Sequence, residues 1–212
     1  MLELGLKSLL AYLLGSVAGA LVLGQFCGFD IRAEGSGNAG ATNALRTRGA
    51  PFAAAVLLID LAKGWIGAAL VPALGWPAPD PALPREWLAV ACAAAVVLGH
   101  VWPVWYGFRG GKGAATVVGV VGAIEPRLLV PLLGSWLVVL LLTGFVSLAT
   151  MLAGVALVIA VAVLEPANTP LIGFCAALAA FIIYTHRSNI TRLRAGNENR
   201  ARRLWLLRPR DR

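Results

Sequence analysis

Three polar segments interrupt an otherwise apolar chain of 212 residues, and their residue types point to one kind of chemistry. The first is Gly35-Ser36-Gly37-Asn38-Ala39-Gly40-Ala41-Thr42-Asn43-Ala44-Leu45-Arg46. The second is Gly99-His100-Val101-Trp102-Pro103, followed by Gly107-Phe108-Arg109-Gly110-Gly111-Lys112-Gly113-Ala114-Ala115-Thr116. The third runs from His186 to Arg200 and carries Arg187, Asn189, Arg192, Gly196 and Glu198. Both histidines of the chain lie in these segments. Glycines let successive backbone N–H groups turn toward one point and let an anion come close. In the first segment, a helix start near Asn43–Arg46 would add its positive end. In the second, glycine backbone plus Lys112 makes an anion cradle. In the third, His186 and Asn189 suit a phosphomonoester better than a lipid surface, which asks only for charge. The arginines at 202, 203, 208, 210 and 212 read as a basic tail on anionic lipid.

What the segments lack narrows the chemistry further. A Walker A loop needs Gly, four residues, then Gly-Lys-Ser/Thr. Here Gly111-Lys112 is followed by Gly113, and Tyr106 stands where the first glycine belongs. No hydroxyl is supplied for Mg²⁺, which argues against nucleotide hydrolysis. Gly-x-Ser-x-Gly fails around Ser36, because Glu34 and Asn38 occupy the outer positions. A His-x₄-Asp pair fails as well, since Trp105 follows His100 and Thr191 follows His186 at that spacing. No zinc spacing is present, so neither metal nor cofactor is expected. The nearby carboxylates are Asp30, Glu34 and Glu198. A site rich in anion donors and poor in bases suits a substrate that is already activated and leaves as an anion.

The elements that must position these segments are membrane spans. Hydrophobic residues make up 59% of the chain and charged residues 13%, against about 25% charged in a globular domain. Mean hydropathy is +0.79. This excludes a cytosolic enzyme, a disordered regulator and a secreted disulfide scaffold. Seven apolar runs occur, at 4–24, 51–72, 87–103, 114–124, 128–144, 147–164 and 169–185. Seven spans of about 20 residues would use roughly 140 and leave no room for a soluble domain. The reading is all-α: one integral-membrane domain over 1–212, with motif segments 35–46, 99–116 and 186–200. The n-region of the first run has both Glu3 and Lys7 and its apolar stretch is long, so it is read as a retained span rather than a cleaved signal.

Charge gives the orientation. The net charge is +8, and in so apolar a chain it marks loops rather than nucleic-acid binding. Fourteen Lys or Arg fall on the side of the three segments and three (Lys7, Arg85, Arg127) on the other, Lys63 being left aside within a span. The positive-inside rule puts the three segments and the carboxyl terminus in the cytoplasm and the amino terminus outside. Cys27, Cys92 and Cys175 are far apart and read as small apolar residues. Asp60 and Lys63 stand at i, i+3 inside the second run, where an intramembrane charge costs about 2.5–3.5 kcal/mol and needs a partner. The reading leaves open whether this pair is a structural lock or part of the site.

Taken in order, the three motifs resemble the bacterial acyl-phosphate:glycerol-3-phosphate acyltransferases, the PlsY family. The resemblance rests on Gly35-Ser36-Gly37-Asn38…Gly40…Thr42-Asn43…Arg46. It continues through Gly99-His100…Pro103…Phe108…Gly110-Gly111-Lys112-Gly113…Ala115-Thr116 to His186-Arg187…Asn189-Ile190…Arg192-Leu193…Gly196…Glu198…Arg200. It implies a seven-span protein of the bacterial inner membrane that works at the cytoplasmic face. It also implies acyl transfer from acyl phosphate to the 1-position of glycerol 3-phosphate, giving lysophosphatidic acid and phosphate. Neither acyl-CoA nor acyl carrier protein would serve as donor.

On that chemistry the glycerol hydroxyl attacks the acyl carbonyl directly. Ser36, Asn38, Thr42 and Asn43, with the backbone of Gly35, Gly37 and Gly40, would hold the acyl phosphate. Arg46, Lys112, His186 and Asn189 would hold glycerol 3-phosphate. Arg109, Gly110, Gly111, Gly113, Thr116, Arg192, Glu198 and Arg200 complete the expected binding set, with Ser147 a weaker contact. The base is either the substrate's own phosphate or His100. The rival reading is a small transporter of phosphate or phosphorylated metabolites. It predicts internal repeats and polar groups at mid-membrane, whereas the motifs cluster toward one face and no repeat is visible.

Overall fold

A computed structural model describes residues 1–202 and 204–207. Arg203, Arg208, Arg210 and Arg212 of the expected lipid-facing tail lie outside the described residues. Ten α-helices and three short 3-10 turns make up the fold, with no strand among the described residues. The chain resolves into two compact units, Met1–Glu125 and the segment from Pro126 onward.

The first unit holds α1 (Leu2–Gly15), α2 (Gly19–Phe26), α3 (Ala41–Arg48), α4 (Ala50–Ala73), α5 (Arg85–Val101) and α6 (Ala114–Ile124). Lipid offers no hydrophobic drive between helices, so close backbone packing must hold them together. Glycine supplies it. A Cβ on Gly15 would lie 2.1 Å from the Val96 carbonyl oxygen, and one on Gly99 as close to that of Tyr12, so α1 and α5 touch backbone to backbone. A Cβ on Gly119 would meet the Leu61 carbonyl oxygen at 2.1 Å, which brings α6 against α4 in the same way.

The second unit holds α7 (Leu129–Thr143), α8 (Val146–Leu164), α9 (Thr169–Thr185) and α10 (Arg187–Arg194). Gly144, at φ 74°, ends α7 in the left-handed conformation that glycine tolerates best. Asn168 caps α9 by accepting from the Leu171 N–H at 3.0 Å, with Pro170 in the first turn.

Every apolar run of the sequence is helical over most of its length. Among the described residues, four stretches are long and apolar enough to cross a membrane, and six if two bent pairs each count as one span. The run expected as one helix over 4–24 is two, α1 and α2, bent by 50°. The seventh run continues into α10 through a 57° bend. The fourth run is the 11-residue α6, about 16 Å long and so shorter than the hydrocarbon layer.

Candidate active site

In the first unit the two glycine-rich segments fold onto each other. The first segment hangs between a 3-10 turn (Ile31–Ala33) and α3. Asn43, 1% exposed, is its internal brace. Asn43 Oδ1 accepts from the Ser36 N–H at 2.9 Å and from its hydroxyl at 3.1 Å. The Asn43 amide donates to the carbonyls of Glu34 and Ile31, at 3.0 and 3.3 Å. Ser36 is thus presented on an exposed loop whose shape is fixed from beneath. Gly35, at φ 55°, has no room for a side chain, since its Cβ would fall 2.4 Å from Asn43 Oδ1. Asn38 folds its amide over Gly40, and Arg46 and Thr42 stand on α3. The helix begins at Ala41, two residues earlier than the Asn43 start read from the sequence.

One arginine ties the two segments together. Arg32 Nη1 donates to the carbonyls of Tyr106 and Arg109, at 2.8 and 3.1 Å. Asp30 holds that guanidinium from the other side, with Arg32 Nη2 at 2.8 Å. Hydrogen bonds from Arg32 keep the Asp30 carboxyl below its ordinary range, and the same bonds raise Arg32 above its own. Glu34 is bound by Arg48, whose Nε donates at 2.9 Å while its guanidinium carbon lies 3.7 Å from the Phe29 ring centre.

The second segment doubles back on the end of α5. The Gly110 N–H donates to Val101 O at 3.0 Å and the Gly111 N–H to His100 O at 3.2 Å. Both glycines are required by contact. A Cβ on Gly110 would sit 2.1 Å from His100 O, and one on Gly111 would sit 2.1 Å from His100 Nε2 and 2.9 Å from Ala39 O. Gly113, at φ 88°, turns the chain into α6. Lys112, half-buried, stands between these turns. Thr116 is fully buried, its hydroxyl without a hydrogen-bond partner among the described residues. Phe108 is held at φ 59° with its side chain exposed, a conformation that costs energy for any residue but glycine.

The third segment forms its own cluster in the second unit, centred on Glu198. Ser147 Oγ and Asn189 Nδ2 donate to Glu198 Oε1 at 2.9 and 2.7 Å, and Arg192 Nε donates to Oε2 at 2.7 Å. Burial opposes the charge on Glu198, but these three donors prevail and hold the carboxyl below its ordinary range. Four of the expected binding residues therefore meet, with the carboxylate organising the donors. His186, 5% exposed, sits at the α9–α10 bend with Nδ1 2.8 Å from Ile182 O. Arg200 lies 4.4 Å from the Phe145 ring centre and 4.1 Å from that of Trp205. Ala201 and Leu206 bond to the end of α7, the Ala201 N–H donating to Gly144 O at 2.7 Å and the Leu206 N–H to Leu141 O at 2.9 Å.

Sequence reasoning missed Arg32 as the tie between the glycine segments and counted it only as a loop charge. The signal was the Asp30-x-Arg32 spacing just ahead of the glycines. It also missed Trp205, whose ring closes over Gly144.

Apolar helices joined by glycine-rich loops define the class as an integral-membrane protein. The sequence model of a family described as glycerol-3-phosphate acyltransferase matches residues 6–196. A glycerol-3-phosphate acyltransferase of Chromobacterium violaceum is 41% identical over 194 residues, covering 91% of this chain and 92% of that one. One of Geobacter sulfurreducens is 39% identical over 190 residues, covering 90% and 93%. Two crystal structures of PlsY, an integral membrane glycerol 3-phosphate acyltransferase, are 35% identical and cover 93% of this chain and 94% of theirs. The glycerol 3-phosphate form superposes with a TM-score of 0.82, the lysophosphatidic acid form with 0.80. The chain belongs to the glycerol-3-phosphate acyltransferase family, and it is an acyltransferase.

Proposed function

We propose that this enzyme transfers a fatty acyl group from acyl phosphate to the 1-position of glycerol 3-phosphate, the first step of phospholipid synthesis. The hydroxyl oxygen of glycerol 3-phosphate bonds to the acyl carbon, and the bond from that carbon to the phosphate oxygen breaks. The products are lysophosphatidic acid and inorganic phosphate, and the hydroxyl proton leaves on the phosphate. Beyond the family match, the observation that carries this reading is the Arg32 tie. It makes one surface of two glycine-rich loops, one presenting Ser36 and the other Lys112. Such a surface suits a phosphate leaving group already activated as a mixed anhydride, which needs no nucleophilic triad. Ser36, Asn38 and the first loop's backbone are assigned to the acyl phosphate. Within the first unit, Lys112 and Arg46 are assigned to glycerol 3-phosphate.

Purified enzyme given palmitoyl phosphate and glycerol 3-phosphate should release phosphate and form lysophosphatidic acid in equal amounts. Palmitoyl-CoA or palmitoyl-acyl carrier protein should not replace the donor, and EDTA without ATP should leave the rate unchanged. A requirement for Mg²⁺, or use of the thioesters, would overturn the reading.

The seven apolar runs are read as seven passages through the bacterial inner membrane, with the three motif segments cytoplasmic. Cys27 is exposed and lies eight residues before Gly35. In intact cells it should be protected from a membrane-impermeant thiol reagent. In a Cys27→Ser background, a cysteine replacing exposed Ala82 should react. The reverse pattern would invert the topology.

A further inference from the structure

Lys63 lies in α4, 3% exposed, beside Asp60 at 1% and His100 at 2%. The break between α1 and α2 leaves the Gly15 and Val17 carbonyls without helical partners, and Lys63 Nζ donates to them at 2.9 and 3.0 Å. Its other neighbours are Asp60 Oδ1 at 2.9 Å and His100 Nδ1 at 2.8 Å. A neutral amine with both N–H groups on the carbonyls would turn its lone pair on the Asp60 carboxylate. The carboxylate therefore requires an ammonium, and an ammonium only donates.

The ammonium has three N–H groups for four neighbours, so the one not spent on the carbonyls is shared between Asp60 Oδ1 and His100 Nδ1, and a ring nitrogen 2.8 Å from Nζ must be an acceptor. The alternative is an Nδ1–H directed at Asp60 Oδ1, 3.3 Å away. It would set two donors against each other across the shorter gap. His100 therefore carries its proton on Nε2. That nitrogen faces the second glycine loop, at the spot where a Cβ on Gly111 would intrude to 2.1 Å. His186 is the reverse case. Its Nδ1 is 2.8 Å from the Ile182 carbonyl, which can only accept, so the proton is on Nδ1.

We propose that Lys63 is a positioning residue for acyl transfer. It locks His100 in the Nε2–H tautomer, so that the imidazole offers an N–H donor to an anion held by the Gly110–Gly111 loop and does not act as a base. The anion class rests on the acyltransferase reading; the tautomer does not.

The test is ¹⁵N NMR of the full-length enzyme labelled only at its two histidines, with His186→Gln used to assign the resonances. His100 should show an unprotonated Nδ1 and a protonated Nε2, and His186 a protonated Nδ1. Lys63→Met should move His100 toward the Nδ1–H form, now free to donate to Asp60. Activity on palmitoyl phosphate and glycerol 3-phosphate gives the second arm. Glutamine can keep an N–H at the position of Nε2. His100→Gln should therefore keep more than about a tenth of kcat, while His100→Leu, compared at equal folded amounts, falls by about 10²-fold or more. A protonated Nδ1 on wild-type His100 would overturn the proposal, as would a His100→Gln enzyme no better than His100→Leu, which would make the imidazole the base. If Lys63→Met fails to fold, the wild-type spectrum and the two His100 variants still decide. A wild-type enzyme that forms no lysophosphatidic acid would sink the acyltransferase reading alone.

Discussion

The first unit contains the same ionic device twice, at Glu3–Lys7 and at Asp60–Lys63. In each, a carboxylate and a lysine on one helix face pair inside the protein, at i, i+4 with 2.8 Å and at i, i+3 with 2.9 Å. In each, the lysine also caps two carbonyls that a helix end has freed. Lys7 takes those of Pro72 and Leu74, at 2.9 and 2.7 Å, where α4 stops. Lys63 takes those of Gly15 and Val17, where α1 breaks. A lysine beside freed backbone carbonyls answers the demand that every polar group away from water be satisfied.

The devices differ in their third partner. Glu3 is closed off by Arg85, whose Nη1 and Nη2 reach it at 2.7 and 2.9 Å, and by the Asp80 N–H at 2.7 Å. That cluster ends in loop structure and faces no motif residue. Asp60–Lys63 ends instead in His100, which backs the glycine loop. Damage to the loop side should therefore appear in catalysis, and damage to the Glu3–Lys7 side in stability alone.

The largest effect is expected at Lys112, which the proposed function sets against a substrate phosphate. Losing one preorganised donor to developing charge costs about 2.7–4 kcal/mol, or roughly 10²–10³ in rate. Lys112→Ala should lower kcat/KM by that factor. Lys112→Arg should recover only part of it, because a planar fork replaces a compact ammonium between two tight glycines. Near-normal turnover in Lys112→Ala would detach the second loop from the chemistry.

Asp60→Ala comes next. Removing one member of a buried pair leaves a charge uncompensated and costs about 3–5 kcal/mol. The melting temperature should fall, and kcat of the remaining folded enzyme should fall with it. Full kcat at reduced stability would make Asp60–Lys63 a second purely structural clamp and erase the contrast.

Glu198 gives a pH-dependent effect of intermediate size. Its carboxyl is held below the ordinary glutamate range, so the folded state favours the ionised form. The stabilisation is present above the unfolded pKa and is lost as pH falls through the lowered folded value. Glu198→Gln should be less stable at neutral pH and should lack this part of the acid-induced loss in melting temperature. An acid limb unchanged from wild type would remove Glu198 from the stability balance.

Much of this architecture was legible in the sequence because membrane spans advertise themselves by length and composition. The glycine motifs were equally plain, and Gly110, Gly111 and Gly113 each meet a contact or dihedral that only glycine satisfies. The break at Ser16–Ala18 was not legible, because an apolar run reads the same whether straight or bent. Its compensation lay 45 residues away in Lys63, and no local pattern links a lysine in one span to carbonyls in another. For the same reason Asn43 read as a substrate contact, although its amide is spent on Ile31, Glu34 and Ser36.

The smallest catalytic effect should come from Lys7→Met, and this variant tests the contrast most directly. Methionine keeps the length and apolar stem of lysine while removing the charge. The carbonyls of Pro72 and Leu74 then lose a donor, and Glu3 loses one of its partners but keeps Arg85 and the Asp80 N–H. Stability should fall, because buried acceptors left unmade are costly. Nothing in that cluster touches the glycine loops, so kcat per folded molecule should stay within about threefold of wild type, the range of changes remote from a site. Lys63→Met makes the same chemical change at the other cluster, and there kcat should drop as well. If the two variants lose stability and kcat in the same proportion, helix closure is all that either lysine does. A loss of kcat confined to Lys63→Met would leave the histidine as the difference, since the ion pair and the two capped carbonyls are common to both.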